Sequence, residues 1–273
     1  MDRKHIWTAW IILGLILVLA TGCTSASQSA KETVPPSPTS APVLPTVAPT
    51  EDKVSPMLEK ITWLRSTNPY GNTGVLIQAG TKVIYLDPVD LVNAAQLPKA
   101  DIILITHDHP DHFSAQTITA LSNENTKVVS TAGIISTLGD LSTAPLAPGE
   151  KTNVDNLEIE GIASYNVNHP KTSGFLGFII TIDDTRLYFS GDTDLNPEME
   201  SLSNIDIAFL NVRNLYSLSG KNVVSFAETV KPRVIVPIHW MPENNTYKDK
   251  EEIEYIQQNI PNTTLLEVLT LKP

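Results

Sequence analysis

Three histidines and two aspartates lie within six consecutive residues, His107-Asp108-His109-Pro110-Asp111-His112, directly after an apolar stretch. That stretch, Ile102–Thr106, has the composition of a buried β-strand, so the polar run begins where a strand ends. Two histidines at spacing i, i+2 on an extended backbone direct their rings to the same side, where both can bind one cation. Pro110 fixes its own backbone and favours an extended conformation at the residue before it. The run therefore predicts a metal site at the end of a strand.

Short β-branched runs alternate with helical stretches from about residue 59 to the C-terminus. The predicted strands are Ile61–Leu64, Val75–Gln78, Lys82–Leu86, Ile102–Thr106, Lys127–Ser130, Leu157–Ser164, Phe178–Ile182, Arg186–Ser190, Ile207–Leu210, Val234–Pro237 and Leu265–Leu269. The predicted helices are Ser114–Leu121, Gly133–Leu138, Val223–Val230 and Lys250–Asn259. Tight polar turns at Ala79-Gly80 and Asp183-Asp184 indicate hairpins. This pattern favours the α/β (α+β) class, with two sheets packed face to face and helices outside, a four-layer αβ/βα sandwich.

The polar run has the pattern His-x-His-x-Asp-His, and with four other segments it resembles the five ordered motifs of the metallo-β-lactamase superfamily. The motif positions are Asp87 in Leu86-Asp87-Pro88, the run itself, His169 in Asn168-His169-Pro170, Asp192 in Gly191-Asp192-Thr193, and His239 in Ile238-His239-Trp240. The resemblance extends from about Lys60 to the C-terminus and implies the metallo-β-lactamase fold. Apart from His5, every histidine of the chain falls on a motif position.

The resemblance implies seven metal ligands: His107, His109 and His169 for one ion, Asp111, His112 and His239 for a second, and Asp192 bridging both. Asp111, His112 and Asp192 would also act in catalysis, while Asp87 would orient a ligand histidine from behind. The implied activity is that of a dinuclear hydrolase whose metal-bridging hydroxide cleaves an ester, lactone or phosphodiester bond of a small molecule.

Histidine and carboxylate ligands without a thiolate suit two zinc ions, and equally manganese, iron or nickel. Two alternatives to a hydrolase stay open at this point. A diiron oxidoreductase of the same fold normally has a glutamate where His109 stands. A non-catalytic metal-binding lipoprotein would be expected to have lost ligands, and none is missing.

Within the superfamily, the segments around His169, Asp192 and His239 resemble the branch of ascorbate-phosphate lactonase-like and phospholipase D-like hydrolases. Two segments depart from the pattern of that branch, Arg65–Gly71 and Asn211–Tyr216. Both should border the metal site, so the substrate stays open. From these segments, Arg213 is a candidate to bind an anionic substrate group, and Tyr70 and Tyr216 are candidates to wall the pocket.

The N-terminus indicates export and tethering to a membrane. Residues 1–22 have a basic start, an apolar stretch and a small-residue end, as in a signal peptide. Leu19-Ala20-Thr21-Gly22-Cys23 resembles a bacterial lipobox, which implies lipidation, palmitate included, at Cys23. The alternative is an uncleaved signal anchor. Residues 23–58 are rich in Pro, Ser and Thr and predict a disordered linker, and residues 59–273 would form the hydrolase domain.

These predictions place the protein outside the cytoplasm as a membrane-anchored lipoprotein. Its formal net charge is −11, and the sequence contains no run of Lys and Arg in the predicted domain. An acidic surface repels nucleic acid, so no nucleic-acid partner is expected.

Overall fold

The computed structural model of the protein describes residues 52–243 and 248–273. The predicted signal peptide, Cys23 and most of the predicted linker lie outside these residues. In the described ranges the strands are β1 Ile61–Trp63, β2 Val75–Ala79, β3 Lys82–Leu86, β4 Ile102–Leu104, β5 Lys127–Ser130, β6 Ser142–Pro145, β7 Lys151–Val154, β8 Leu157–Ala163, β9 Leu176–Ile182, β10 Thr185–Phe189, β11 Ile207–Asn211, β12 Val234–Ile238 and β13 Leu265–Leu266. The α-helices are α1 Val54–Leu58, α2 Ala115–Leu121, α3 Ala132–Ile135, α4 Pro197–Glu200, α5 Gly220–Val230 and α6 Asp249–Asn259.

The strands form two mixed sheets. The first has the order β1-β2-β3-β4-β5-β6, and the second has the order β13-β12-β11-β10-β9-β8-β7. In the first sheet β1 to β3 are antiparallel and β3 to β6 are parallel. In the second, β7 to β10 are antiparallel and β10 to β13 are parallel. Each sheet therefore has an antiparallel half and a parallel half. Crossover connections join the strands of the parallel half.

Alternating side chains of the first sheet serve two separate cores. Ile84 and Leu86 belong to the large core shared with the second sheet, whereas Tyr85 between them packs on the outer side. Ile118 of α2 and Ile134 of α3 cover that outer side. Successive residues of a strand point to opposite faces of the sheet, so these strands contribute side chains both to the large core and to the outer core beneath α2 and α3. With helices also covering the second sheet, the four-layer metallo-β-lactamase fold predicted from the sequence is confirmed.

The short or polar elements differ from the sequence-based prediction. Strands β6 and β7 and helix α4 were not predicted, and β13 ends at Leu266 rather than Leu269. Helix α2 begins at Ala115, because the hydroxyl of Ser114 caps it by accepting the Thr117 N–H.

The folded region begins before the predicted boundary at residue 58. Val54–Leu58 form helix α1, and its side chains Val54 and Met57 belong to the large core. The prediction of a disordered linker was wrong for Val54–Leu58, which form a helix. The Pro-, Ser- and Thr-rich composition of the preceding residues outweighed the few apolar residues of this short helix in the prediction. Within the described residues, none of the helices has the length and apolar character required to cross a bilayer.

Candidate metal centre

Strands of both sheets end at one edge of the molecule, and the predicted ligands follow these ends. Asp87 comes directly after β3, and the polar run 107–112 follows β4 in the first sheet. His169, Asp192 and His239 lie on the segments after β8, β10 and β12 of the second sheet. The folding of two sheets against each other thus brings together residues that are up to 152 positions apart in sequence, counted from Asp87 to His239.

His107, His109 and His169 form the first cluster of candidate ligands. Their ring centroids lie 4.4 to 5.4 Å apart. His107 Nδ1 lies 2.9 Å from the Thr106 hydroxyl, whereas its Nε2 is buried without a hydrogen-bond partner in the described part of the chain. Burial lowers the pKa of both His107 and His169, so these rings are neutral at pH 7. Neutral imidazoles with an inward lone pair are what a cation requires.

Asp111, His112, Asp192 and His239 form the second cluster. The Nε2 atom of His112 lies 3.2 Å from Nε2 of His239 and 3.3 Å from Oδ2 of Asp192. His239 Nε2 lies 3.5 Å from carboxylate oxygens of both Asp111 and Asp192. Ligands about 2.0–2.1 Å from a tetrahedral zinc ion are roughly 3.3 Å from one another. The four side chains therefore have the chemistry and spacing to hold one divalent ion.

The predicted bridging role of Asp192 stays a prediction, since its ion-pair distances involve only the second cluster. Burial of the Asp192 carboxylate opposes its ionisation, but His112 and His239 outweigh burial and lower its pKa well below the usual value. Asp192 is therefore ionised and also accepts a hydrogen bond of 2.9 Å from the side-chain amide of Asn211.

Asp87 lies behind His112, where the sequence analysis placed it. Its Oδ2 is 2.7 Å from His112 Nδ1, and both groups are fully buried. The carboxylate also accepts the main-chain N–H and the hydroxyl of Thr106, each at 2.7 Å. When Nδ1–H donates to Asp87, Nε2 of His112 is left to face the second cluster.

Sequence reasoning missed several side chains that support the centre. The Phe175 ring packs against all three rings of the first cluster, at centroid distances of 4.8 to 5.8 Å. Oδ1 of Asn166 accepts the N–H groups of Asn168 and His169 at 2.7 and 3.0 Å, which shapes the loop that carries His169. Phe175 follows no motif, so only the folded chain reveals its contact with the rings.

The loop between β1 and β2 borders the second cluster, as expected for the departing segment Arg65–Gly71. The carbonyl oxygen of Asn72 accepts the N–H of His239 at 2.9 Å. The Thr73 hydroxyl donates to the carbonyl of Asp111 at 2.9 Å. A Cβ atom on Gly71 would lie 2.3 Å from His239 Nδ1 and 2.6 Å from Arg213 Nη1. This close approach leaves no room for a side chain at Gly71.

An open cavity of about 330 Å³ ends on both clusters. Its lining comprises Tyr70, His109, Pro110, Asp111, Asn168, His169, Asp192, Arg213 and Tyr216. The three predicted substrate-contacting residues are therefore all at this cavity. Arg213 is only 2% exposed, with its Nη1 3.5 Å from His239 Nδ1, whereas Tyr70 and Tyr216 are exposed at the mouth.

The sequence profile of the family described as the β-lactamase superfamily domain matches residues 60–239. A UPF0173 metal-dependent hydrolase from Thermococcus onnurineus is 28% identical over 213 residues, which cover 71% of this chain and 91% of the relative.

A solved structure from Parabacteroides distasonis, provisionally assigned as a metal-dependent hydrolase, matches with a TM-score of 0.64 and 27% identity. The match covers 74% of this chain and 91% of that one. The diiron β-hydroxylase CmlA from Streptomyces venezuelae is similar in fold at 13% identity, with a TM-score of 0.63, covering 74% of this chain and 52% of that one. One fold therefore carries both hydrolytic and oxidative chemistry among these proteins.

Proposed function

Because the chain belongs to the β-lactamase superfamily domain family and is a metal-dependent hydrolase of the metallo-β-lactamase fold, we propose that it cleaves an ester, lactone or phosphodiester bond with two divalent ions. Zinc is the first choice of ion for these ligands. The observation that carries the proposal is the convergence of two ligand clusters on the floor of one open cavity.

Bound ions would lower the pKa of water towards neutrality and polarise the carbonyl or phosphoryl oxygen of the substrate. The protein contributes orientation and charge. His107, His109 and His169 would hold one ion through neutral rings, and the second cluster would hold the other. Asp111 is partly exposed and lines the cavity, so its carboxylate can also accept a proton near the substrate.

Arg213 is proposed to bind an anionic oxygen of the substrate or of the reaction product. Its guanidinium is buried, lines the cavity and lies beside His239. A guanidinium in such a position has a fixed charge and several N–H donors, which suits a carboxylate or a phosphoryl oxygen. Tyr70 and Tyr216 would form the walls that the substrate passes on entry.

A substrate panel with the purified, zinc-loaded full chain tests the proposal. Phosphodiesters, phosphate monoesters, lactones, carboxylic esters and β-lactams would be compared, with bound metal counted by mass spectrometry. His169→Ala and Asp111→Asn should each lower kcat/KM at least about hundredfold, since an outer-shell partner alone is typically worth ten- to hundredfold.

Asp108→Asn provides the matched control, because Asp108 belongs to the same polar run, is exposed and is in neither cluster. Full hydrolysis by the His169 or Asp111 variants would show that the active site lies elsewhere. Oxidation of a substrate by the iron-loaded protein, without hydrolysis by any metal form, would replace the proposal with the oxidoreductase alternative. Two bound ions with neither activity would support a metal-binding protein.

We further propose that Cys23 is lipidated and tethers the domain to a membrane outside the cytoplasm. The support is the sequence Leu19-Ala20-Thr21-Gly22-Cys23 after an apolar stretch. Mass spectrometry of the mature N-terminus is the test. A diacylated Cys23 is expected, and an unmodified Met1 would favour the signal anchor.

A further inference from the structure

Four of the exposed large apolar or aromatic side chains lie on the loops that line the cavity. Six large apolar or aromatic side chains are exposed in the described part of the chain: Tyr70, Val167, Leu215, Tyr216, Tyr255 and Leu265. Tyr70 and Tyr216 line the cavity, and Val167 and Leu215 are each adjacent in sequence to a lining residue. Single exposed apolar residues are ordinary, but four on the loops of one cavity mark a binding surface. We call these four residues the apolar rim.

Hydrogen bonds hold together two of the three loops that carry the rim, the loop of Val167 and the loop of Leu215 and Tyr216. The side-chain amide of Asn168 donates to the carbonyl oxygen of Leu215 at 3.1 Å, and that of Asn166 donates to the carbonyl oxygen of Tyr216 at 2.7 Å. Val167, which is 88% exposed, lies between these two asparagines. Val167, Leu215 and Tyr216 are therefore presented by a pair of loops that hydrogen bonds hold together.

Leu215 occupies a backbone conformation that disfavours leucine. The Tyr216 N–H donates to the Arg213 carbonyl oxygen, which closes a turn with Leu215 as its third residue at φ 77°. That turn position favours glycine or asparagine, because a Cβ atom is crowded at positive φ. The Leu215 side chain is 75% exposed, so its burial contributes little to the free energy of folding and does not offset the strain of the turn. Such strain is typical of residues kept for function.

We infer that the apolar rim binds an apolar chain of the substrate, so that the enzyme prefers amphiphiles whose hydrolysable group lies at the metal clusters. This inference rests on the proposed hydrolase function and specifies its substrate class. Tyr70 and Tyr216 of the rim line the same cavity as His109, Asp111 and Arg213, and Val167 and Leu215 lie next to the lining residues Asn168 and Tyr216. A polar floor and an apolar mouth together match a molecule with a charged or polar head and a tail of several carbons.

The test compares short- and long-chain members of each bond class with the zinc-loaded full chain, below micelle-forming concentrations. The pairs are 4-nitrophenyl acetate and octanoate, γ-butyrolactone and γ-decalactone, and the methyl and octyl esters of 4-nitrophenyl phosphate. Each methylene taken out of water contributes to binding, so the long member should have a kcat/KM at least about tenfold higher in the hydrolysed class. In the double variant Val167→Ser, Leu215→Asn this ratio should fall about tenfold.

Leu265→Ser is the matched control, because Leu265 is an equally apolar exposed residue on strand β13. It should leave the chain-length ratio at the native value. Asparagine is chosen for Leu215 because it tolerates positive φ, so the melting temperature should stay the same or rise. A selectivity loss with unchanged stability separates a binding role from a structural one.

A binding measurement keeps the inference testable if no substrate is hydrolysed. 1-Anilinonaphthalene-8-sulfonate, an anionic aromatic probe, should bind the native chain and the Leu265→Ser variant about tenfold more tightly than the double variant. If no substrate is hydrolysed but the probe affinities differ in this way, the proposed hydrolase function is wrong and the apolar binding site is still supported. An unchanged chain-length ratio and unchanged probe binding would overturn the inference. The inference would also be overturned if the double variant lost binding to phosphatidylcholine vesicles but kept the native chain-length ratio, because the rim would then contact a membrane surface.

Discussion

At the scale of single residues, the centre combines two clusters with different charge. The first cluster consists of histidine rings only, and burial lowers the pKa of His107 and His169. The second cluster contains the carboxylates of Asp111 and Asp192. The backbone is also distorted at the site, since Asp87 and His239 adopt φ values of 41° and 68°. The surrounding hydrogen bonds hold these residues in place, and observed outliers of this kind at a candidate ligand and at the residue that orients another support a functional role.

Removal of the Asp87 charge is expected to weaken metal binding at the second cluster. Asp87→Asn keeps a residue that tolerates positive φ but loses the carboxylate that orients His112. Zinc affinity of that cluster should fall ten- to hundredfold, as is typical for outer-shell partners. Titration with a competing chelator measures it. Asp101→Asn is the control, because Asp101 accepts the Val83 N–H away from the clusters, and an equal loss in both variants would contradict the assigned role.

The metal-free protein should release a proton when zinc binds the second cluster. Burial opposes protonation of His112, but Asp192 and Asp87 outweigh burial and raise its pKa well above 6.5. Zinc needs the same ring unprotonated, so binding must displace the proton. Calorimetry at pH 7 in two buffers with different ionisation enthalpies would detect the release. Identical binding heats in the two buffers would mean that His112 is already neutral.

The same raised pKa has a consequence for the stability of the metal-free fold. A histidine with a raised pKa stabilises the folded state fully at pH values below about 6.5, and the contribution is lost as the pH rises through the folded-state pKa. The melting temperature of the metal-free protein should therefore fall as the pH rises above neutrality.

At the scale of elements, the loop between β1 and β2 is part of the site rather than a simple connection. It accepts the His239 N–H through Asn72 and contacts the polar run through Thr73. Helix α5 is fixed independently, since Ser219 and Asn222 form a reciprocal capping box at its start. A substitution in this loop is therefore expected to disturb the second cluster, whereas a substitution at the start of α5 is expected to act on stability.

Gly71→Ala should displace His239 and lower both zinc occupancy of the second cluster and hydrolysis. The added Cβ would lie 2.3 Å from the His239 ring in a segment fixed by hydrogen bonds. We expect a loss of kcat/KM larger than tenfold, measured together with metal content. Gly139→Ala is the control. Its added Cβ would have no atom within 4 Å, so the only cost of this substitution is the backbone strain of an alanine at φ 61°. Equal losses in both variants would attribute the effect to strain.

At the scale of the whole molecule, the sequence was most informative where strands are buried on both faces. Ile102–Leu104 is fully buried, and such a strand requires the continuous apolar run that made it predictable. The ligands were predictable because they follow strand ends within local motifs. Phe175 and Asn211 acquire their roles only when distant segments meet, so local pattern could not identify them.

Met57→Ala should destabilise the fold, since helix α1 belongs to the core. The Met57 side chain is 1% exposed, and truncation of a buried methionine costs about 2–5 kcal/mol. Urea unfolding measures the change in the free energy of unfolding. Glu59→Ala, an exposed substitution directly after α1, should change it by less than about 0.5 kcal/mol. A Met57 variant as stable as the Glu59 variant would show that α1 is dispensable.

The polar composition of strands β6 and β7 has a consequence for behaviour at high local concentration. These strands are edges of the two sheets, β6 ends in Pro145, and β7 reads Lys-Thr-Asn-Val. Proline and lysine on an edge discourage pairing with a strand from another molecule. The lack of apolar alternation that concealed these strands from pattern analysis therefore also discourages edge-to-edge aggregation through β6 and β7.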